Sequence, residues 1–165
     1  MFRFLVCATL LFCLVSPSVA ERAPQSRTTS TCDFQDGRQL SVRYSSQAPG
    51  KDNPREGKVW VPGGAPVYLF TGAPLLVNDS EIPSGAYSLY VIPEKDNWTL
   101  VVNKNVSDAN LYDEHQDILR VPMQIGEISQ PDKHLRMVFA HVAPKQCNMR
   151  IYSGKTGTWA EFKEK

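Results

Sequence analysis

IPSGAYSLYVIPEKDNWTLVVN, residues 82–103, is the stretch of this chain that decides its fold. Residues 86–92 and 98–102 are rich in β-branched and aromatic side chains, whereas the five residues between them, 93–97, are mostly polar. This composition predicts two β-strands joined by a short turn. It indicates an architecture, but it contains no set of residues with an evident chemistry.

Short strands punctuated by turns are predicted on both sides of this hairpin. Asp36-Gly37 favours a two-residue turn between residues 31–34 and 38–44. Further strands are predicted at 58–61, 67–71, 75–77, 118–123, 135–142, 148–152 and 158–162, with a loop at 126–132, a turn at 153–157 and one short helix at 107–116. We therefore predict an all-β domain, a mostly antiparallel β-sandwich or jelly-roll-like fold with at most one short helix.

The N-terminal residues have the three-part layout of a secretory signal peptide. Arg3 is followed by an apolar run over residues 4–15 and then by Ser18-Val19-Ala20, which has the small residues of a signal-peptidase cleavage site. The apolar run is shorter than the roughly 20 residues that a membrane-spanning helix needs. A lipoprotein is the alternative, but Cys13 follows Phe12, whereas a lipidated cysteine normally follows a small residue.

The chain is accordingly divided into three parts. Residues 1–20 are predicted to be a signal peptide, residues 21–30 a disordered leader, and residues 31–165 a single β-sandwich domain. The protein is expected to be exported to the periplasm or the extracellular space, with no membrane span after signal cleavage.

The charge balance argues against two classes of partner. The chain has 18 Lys plus Arg against 17 Asp plus Glu, and cleavage after Ala20 would remove Arg3 and leave it formally neutral. A neutral chain without basic clusters offers little attraction to nucleic acid or to anionic lipid. An envelope protein or a glycan is the expected kind of partner.

Two of the four cysteines, Cys7 and Cys13, lie in the predicted signal peptide. The remaining pair, Cys32 and Cys147, is predicted to form a disulfide because an exported protein folds in an oxidising compartment. Two separated thiols are the alternative.

The familiar catalytic and nucleotide-binding motifs are missing. Gly154-Lys155-Thr156 resembles the end of a phosphate-binding loop, but Met149 stands where that motif requires glycine. There is no Gly-x-Ser-x-Gly elbow. His134 and His141 fall on opposite faces of a predicted strand and cannot share a metal ion, with His141 expected to be half-buried. We predict no cofactor, no metal ion and no identifiable catalytic residue.

Two weak candidates for a ligand site remain. Asp113, Glu114, His115 and Asp117 form an acidic run that could hold a cation or supply acid and base groups, although a solvated loop explains it as well. Tyr68 and Tyr90 are expected to be exposed aromatic side chains that could stack on a sugar, with a place in the core as the alternative.

Residues 81–93, EIPSGAYSLYVIP, and residues 97–104, NWTLVVNK, resemble the core motif of the secreted bacterial family called domain of unknown function 2911. Residues 57–60 and 117–122 are similar to neighbouring strands of that family, so the resemblance covers most of residues 32–162. It implies a secreted, β-rich domain from a Gram-negative bacterium, without an assigned activity or known catalytic residues.

One segment departs from that family. Relatives typically continue after the tryptophan with an Arg-Thr-Gly-Ala-Asn type stretch, whereas Trp60 is followed here by Val-Pro-Gly-Gly-Ala. Any ability that resides in this stretch of the relatives is expected to be lost or altered. The sequence therefore predicts a non-catalytic binding or structural module, with a hydrolase acting on the cell envelope, or a metal- or carbohydrate-binding protein, as the alternative.

Overall fold

The computed structural model describes residues 27–47 and 53–165, which form a nine-stranded antiparallel sheet. The strands, in chain order, are β1 (Arg27–Asp33), β2 (Gln39–Ser45), β3 (Val67–Thr71), β4 (Leu75–Val77), β5 (Ser80–Ile82), β6 (Gly85–Ile92), β7 (Trp98–Asn103), β8 (Asp117–Ala143) and β9 (Gln146–Glu164). Their order in the sheet is β1-β2-β3-β6-β7-β8-β9-β4-β5. The all-β, antiparallel prediction is confirmed.

The central hairpin is the one predicted from residues 82–103. β6 and β7 pair with Leu89 opposite Val102 and Val91 opposite Leu100, and all four side chains are buried in the core. Tyr90 and Val101 on the opposite face are also buried. Burial on both faces explains why this stretch is almost continuously apolar instead of alternating.

The long strand β8 belongs to both halves of the sheet, and the two halves share one apolar core. Its first part, to Met123, pairs with β7, and from Gln124 onwards it pairs with β9. The second part returns to the start of the sheet, where the Phe139 amide donates a 3.1 Å hydrogen bond to Oγ of Ser30 on β1. Because the sheet folds back in this way, side chains from its two halves pack together, among them Leu69 and Phe162.

The predicted disulfide is present, and it lies where the two halves of the sheet meet. Cys32 on β1 is bonded to Cys147 on β9, 115 positions later in the chain. Both cysteines are buried within the core. The edge strand β1 is therefore tied covalently to the opposite half of the sheet.

Three local predictions are wrong. The loop at 126–132 and the turn at 153–157 lie instead within β8 and β9, which pair with each other through register shifts. The segment at 58–61 contributes only an isolated bridge, between Trp60 and Val91. The short helix predicted within 107–116 is present as a single 3₁₀ turn, Glu114–Gln116.

The predicted disordered leader, residues 21–30, overlaps a strand. β1 begins at Arg27, and residues 27–30 pair with residues 42–45 of β2, so this part of the prediction is wrong. The signal peptide and residues 21–26 lie outside the described residues. No helix within 27–47 and 53–165 has the length and apolar character needed to cross a bilayer.

Candidate functional site

Tyr90 is not the exposed aromatic residue that the strand pattern predicts. Its side chain is only 1% exposed because the segment between β7 and β8, residues 104–116, folds back over it. The Tyr90 hydroxyl donates a 3.0 Å hydrogen bond to the carbonyl of Ala109, and the Tyr112 ring packs edge-to-face against it at 4.8 Å. Tyr90 therefore anchors this covering segment and offers no surface for a sugar.

Asp117 is the hub of a polar network that fixes the same segment. Its carboxylate accepts hydrogen bonds from Nδ2 of Asn103 at 2.7 Å, the hydroxyl of Tyr112 at 2.6 Å and Nε of Arg120 at 2.7 Å. Arg120 Nη2 donates a further 2.7 Å bond to the Tyr112 oxygen. Burial, together with the bond to Asp117, raises the pKa of Tyr112 to about 12.

The rest of the acidic run lies beside this network. Asp113 accepts hydrogen bonds from Nε2 of Gln116 and from the amide of His115, each at 3.0 Å, and these bonds lower the pKa of Asp113, the Gln116 bond most. The side chains of Glu114 and His115 are 67% and 88% exposed. A general acid needs a raised pKa in a dry site, so Asp113 is held in the opposite condition.

The structure thus brings Asp113, Glu114, His115 and Asp117 together: Asp113 and Asp117 are held by hydrogen bonds, whereas Glu114 and His115 are exposed and line an open pocket of about 390 Å³ with Asp117. No group of three or more His, Cys, Asp or Glu side chains in the described ranges is placed to hold a metal ion. His141 is exposed near the β8–β9 turn, so the prediction that it is half-buried is wrong. Its pairing with Cys147 falls next to a register shift at the end of the ladder.

We expect Tyr112→Phe to lower the free energy of unfolding by about 1 kcal/mol at neutral pH, because the hydroxyl bonds to Asp117 and Arg120 are lost. The raised folded pKa of Tyr112 stabilises the protein below pH 10, the ordinary value, and this contribution disappears as pH rises through about 12. The difference between the two proteins should therefore shrink across pH 10–12 in denaturant titrations. A difference that stays constant over that window would contradict the assignment.

Tyr68 lies on β3, on the same outer face of the sheet, and is partly exposed as predicted from the strand pattern. The Arg27 guanidinium lies 5.5 Å from the centre of its ring, and the Phe70 ring centre lies at 6.4 Å. The ring is thus flanked by neighbours of its own sheet.

One concave feature is a cleft of about 460 Å³ beside Trp60, here called the Trp60 cleft. Its polar lining consists of Asn53, Arg55, Lys58 and Asn110, and its other lining residues are Val59, Trp60, Val61, Gly64 and Ala65. The cleft combines cationic and amide groups with an apolar wall, as small-molecule sites commonly do.

A tight turn builds the cationic side of the Trp60 cleft. The Lys58 amide donates a 3.1 Å hydrogen bond to the carbonyl of Arg55, and Gly57 between them has a φ of +67°, which glycine adopts without strain. The Gly57 amide in turn donates to the carbonyl of Pro93 at 2.7 Å. The turn therefore brings residues 55 and 58 together and fastens them to the β6–β7 connection.

The apolar wall is held by the core. Trp60 exchanges two backbone hydrogen bonds with Val91 of β6, and its ring packs edge-to-face on Trp98 at 5.9 Å. The 3₁₀ turn Pro62–Gly64 follows, where Gly63 lies so close to β2 that a Cβ would stand 2.3 Å from the Ser45 carbonyl oxygen. The apolar wall of the cleft is thus attached to β6 through Trp60 and lies close against β2 at Gly63.

This cleft is not predicted by the sequence. Its lining comes from residues 53–61, from residues 64–65 and from Asn110, which lies 45 positions after Ala65. The available signals were the altered stretch after Trp60 and the two basic residues in a turn-rich segment. Neither signal indicates that Asn110 lies against them.

The chain matches a protein-family model, while comparison with curated proteins and with solved structures gives no match. The matching family model, described as a protein of unknown function (DUF2911), covers residues 26–161. It includes every described residue that lines the Trp60 cleft, and it covers well over half of the chain. The chain therefore belongs to the DUF2911 family.

Proposed function

We propose that this protein is an exported, non-catalytic binding module of the periplasm or cell envelope, and that its ligand occupies the Trp60 cleft. The observation that carries this proposal is the cleft itself, whose volume of about 460 Å³ lies within the usual range for small-molecule sites. Its wall is fixed by the Trp60–Val91 bridge, so the site exists before a ligand arrives. A preformed site loses little conformational entropy on binding.

Export is supported by two independent features. Residues 1–20 have the layout of a signal peptide, and the pairing of Cys32 with Cys147 is the behaviour of a protein that folds in an oxidising compartment. The family resemblance supports a bacterial origin. Together these features favour the periplasm or the extracellular space.

The hydrolase alternative has less support. It would use Asp113, Glu114 or Asp117 with His115, but Asp117 is engaged by three donors and the lowered pKa of Asp113 keeps that group ionised. Two carboxyl groups in contrasting environments are what acid–base hydrolysis requires. The acidic run instead fixes the segment that covers Tyr90.

The proposal is tested by a thermal-shift screen of the protein, purified from the periplasm of an expression host, against glycans, envelope fragments and small metabolites. A ligand at 100 times its Kd should raise the melting temperature by roughly 5–10 °C. In Val61→Trp, where the larger side chain fills the cleft, that shift should vanish.

Val142→Trp is the matched control, because Val142 is an exposed valine near the β8–β9 turn, outside the Trp60 cleft. This variant should keep the full ligand-induced shift. A ligand that stabilises Val61→Trp as much as the unaltered protein would place binding elsewhere and overturn the proposal.

A further inference from the structure

We infer that the Trp60 cleft selects an organic anion, a small molecule whose carboxylate or phosphate group is bound by Arg55 and Lys58 and whose apolar body lies against Val59 and Trp60. This inference deepens the proposed function and rests on it. It specifies the chemical class of the ligand from the charges of the cleft.

The charge of the lining is one-sided. Arg55 and Lys58 both line the cleft, and among the residues that the structure describes no Asp or Glu does. Glu56 stands between them in the chain but is exposed and not part of the lining. Two cations without a lining carboxylate raise the local concentration of anions, and the neighbouring walls reduce solvent screening.

These two cations also lack ion-pair partners within residues 27–47 and 53–165. Arg38, Arg120 and Arg136 are each paired with a carboxylate there. The turn holds residues 55 and 58 near each other, and neither side chain has such a partner in the described ranges. A bound oxyanion would therefore meet two cations that no described ion pair already neutralises, which favours binding.

The donors suit a planar or tetrahedral oxyanion. A guanidinium presents two parallel N–H donors to one carboxylate or phosphate, and an ammonium adds a point charge. The amides of Asn53 and Asn110 lie in the same lining and can donate to further oxygens. Val59 is 38% exposed and offers apolar contact at the opening of the cleft. Trp60 is only 6% exposed and forms a fixed inner surface below it.

Three small molecules that share a phenyl ring test the inference: phenyl phosphate, phenylacetate and the neutral benzyl alcohol. Each is titrated by calorimetry into the purified protein. We expect one or both anions to bind at least tenfold more tightly than benzyl alcohol, and the stronger of the two identifies the anionic group. Arg55→Gln and Lys58→Gln should each weaken anion binding about tenfold or more, since each removes a charged donor. Raising the salt concentration should weaken it further.

Lys133→Gln is the control, because Lys133 is an exposed lysine of β8 outside the cleft, and its anion affinity should equal that of the unaltered protein. The inference fails if benzyl alcohol binds as tightly as the anions, or if Arg55→Gln and Lys58→Gln bind them unchanged. In that case a ligand whose binding is abolished by Val61→Trp would leave the proposed function standing. If no ligand of any charge depends on Val61, the proposed function fails as well.

Discussion

Replacing Cys32 and Cys147 together by alanine is expected to lower the free energy of unfolding by about 2–5 kcal/mol. The bridge joins residues 115 positions apart, so its loss frees a very large loop in the unfolded chain. It also removes the covalent tie between β1 and the opposite half of the sheet, where the Phe139 amide of β8 donates a hydrogen bond to Ser30. Urea titration should show a clearly lower midpoint for the double variant.

Reduction of the unaltered protein provides the matched measurement. The reduced protein and the double variant both lack the bridge. Their urea midpoints should therefore agree within the small cost of the cavities that the alanine substitutions leave. A double variant with the midpoint of the oxidised protein would contradict the role assigned to the bridge, and it would indicate that packing alone closes the sheet.

Gly63→Ala is expected to have the second large effect, a loss of about 2–4 kcal/mol from backbone strain and steric overlap. Gly63 has a φ of +78°, and an added Cβ would lie 2.3 Å from the Ser45 carbonyl oxygen and 3.1 Å from a methyl carbon of Leu135. The backbone of β2 cannot give way as a flexible side chain would. The wall of the Trp60 cleft must therefore shift, and melting temperature and ligand affinity should fall together.

Gly37→Ala separates these two causes. Gly37 has a similar φ of +85°, but an added Cβ would meet nothing within 4 Å. This variant should lose only the conformational part, about 1 kcal/mol. Equal losses in both variants would mean that the close approach of Gly63 to β2 contributes nothing.

The parts of the fold that could be predicted are those in which strand composition and turn residues indicate the same structure. The hairpin at 82–103 combines two apolar runs with a polar turn, and Asp36-Gly37 introduces a turn with Gly37 in the left-handed region. Patterning failed where strand pairing overrides a turn signal. Gly154-Lys155-Thr156-Gly157 has turn composition and Gly154 has a φ of +59°, yet the segment continues β9 opposite β8 with an irregular register.

The candidate site was also predictable only in part, because local sequence patterns do not indicate tertiary contacts. Asp113 and Asp117 are close in sequence, so their proximity could be foreseen, but the donors that engage Asp117 include Asn103 on the preceding strand. Tyr90 was expected to be exposed because the alternation of a strand does not indicate which segment will later cover its face. The Trp60 cleft depends on Asn110, which reaches it through tertiary folding alone.

The most direct test of the central claim, that the ligand site is the Trp60 cleft, is a ¹⁵N–¹H correlation titration with phenyl phosphate at constant ionic strength. We predict saturable shifts concentrated at residues 55–65 and at the side-chain amides of Asn53 and Asn110, with little change at 113–120. Saturable shifts centred on the acidic run or around Tyr68, or weak shifts spread over the surface without saturation, would contradict it.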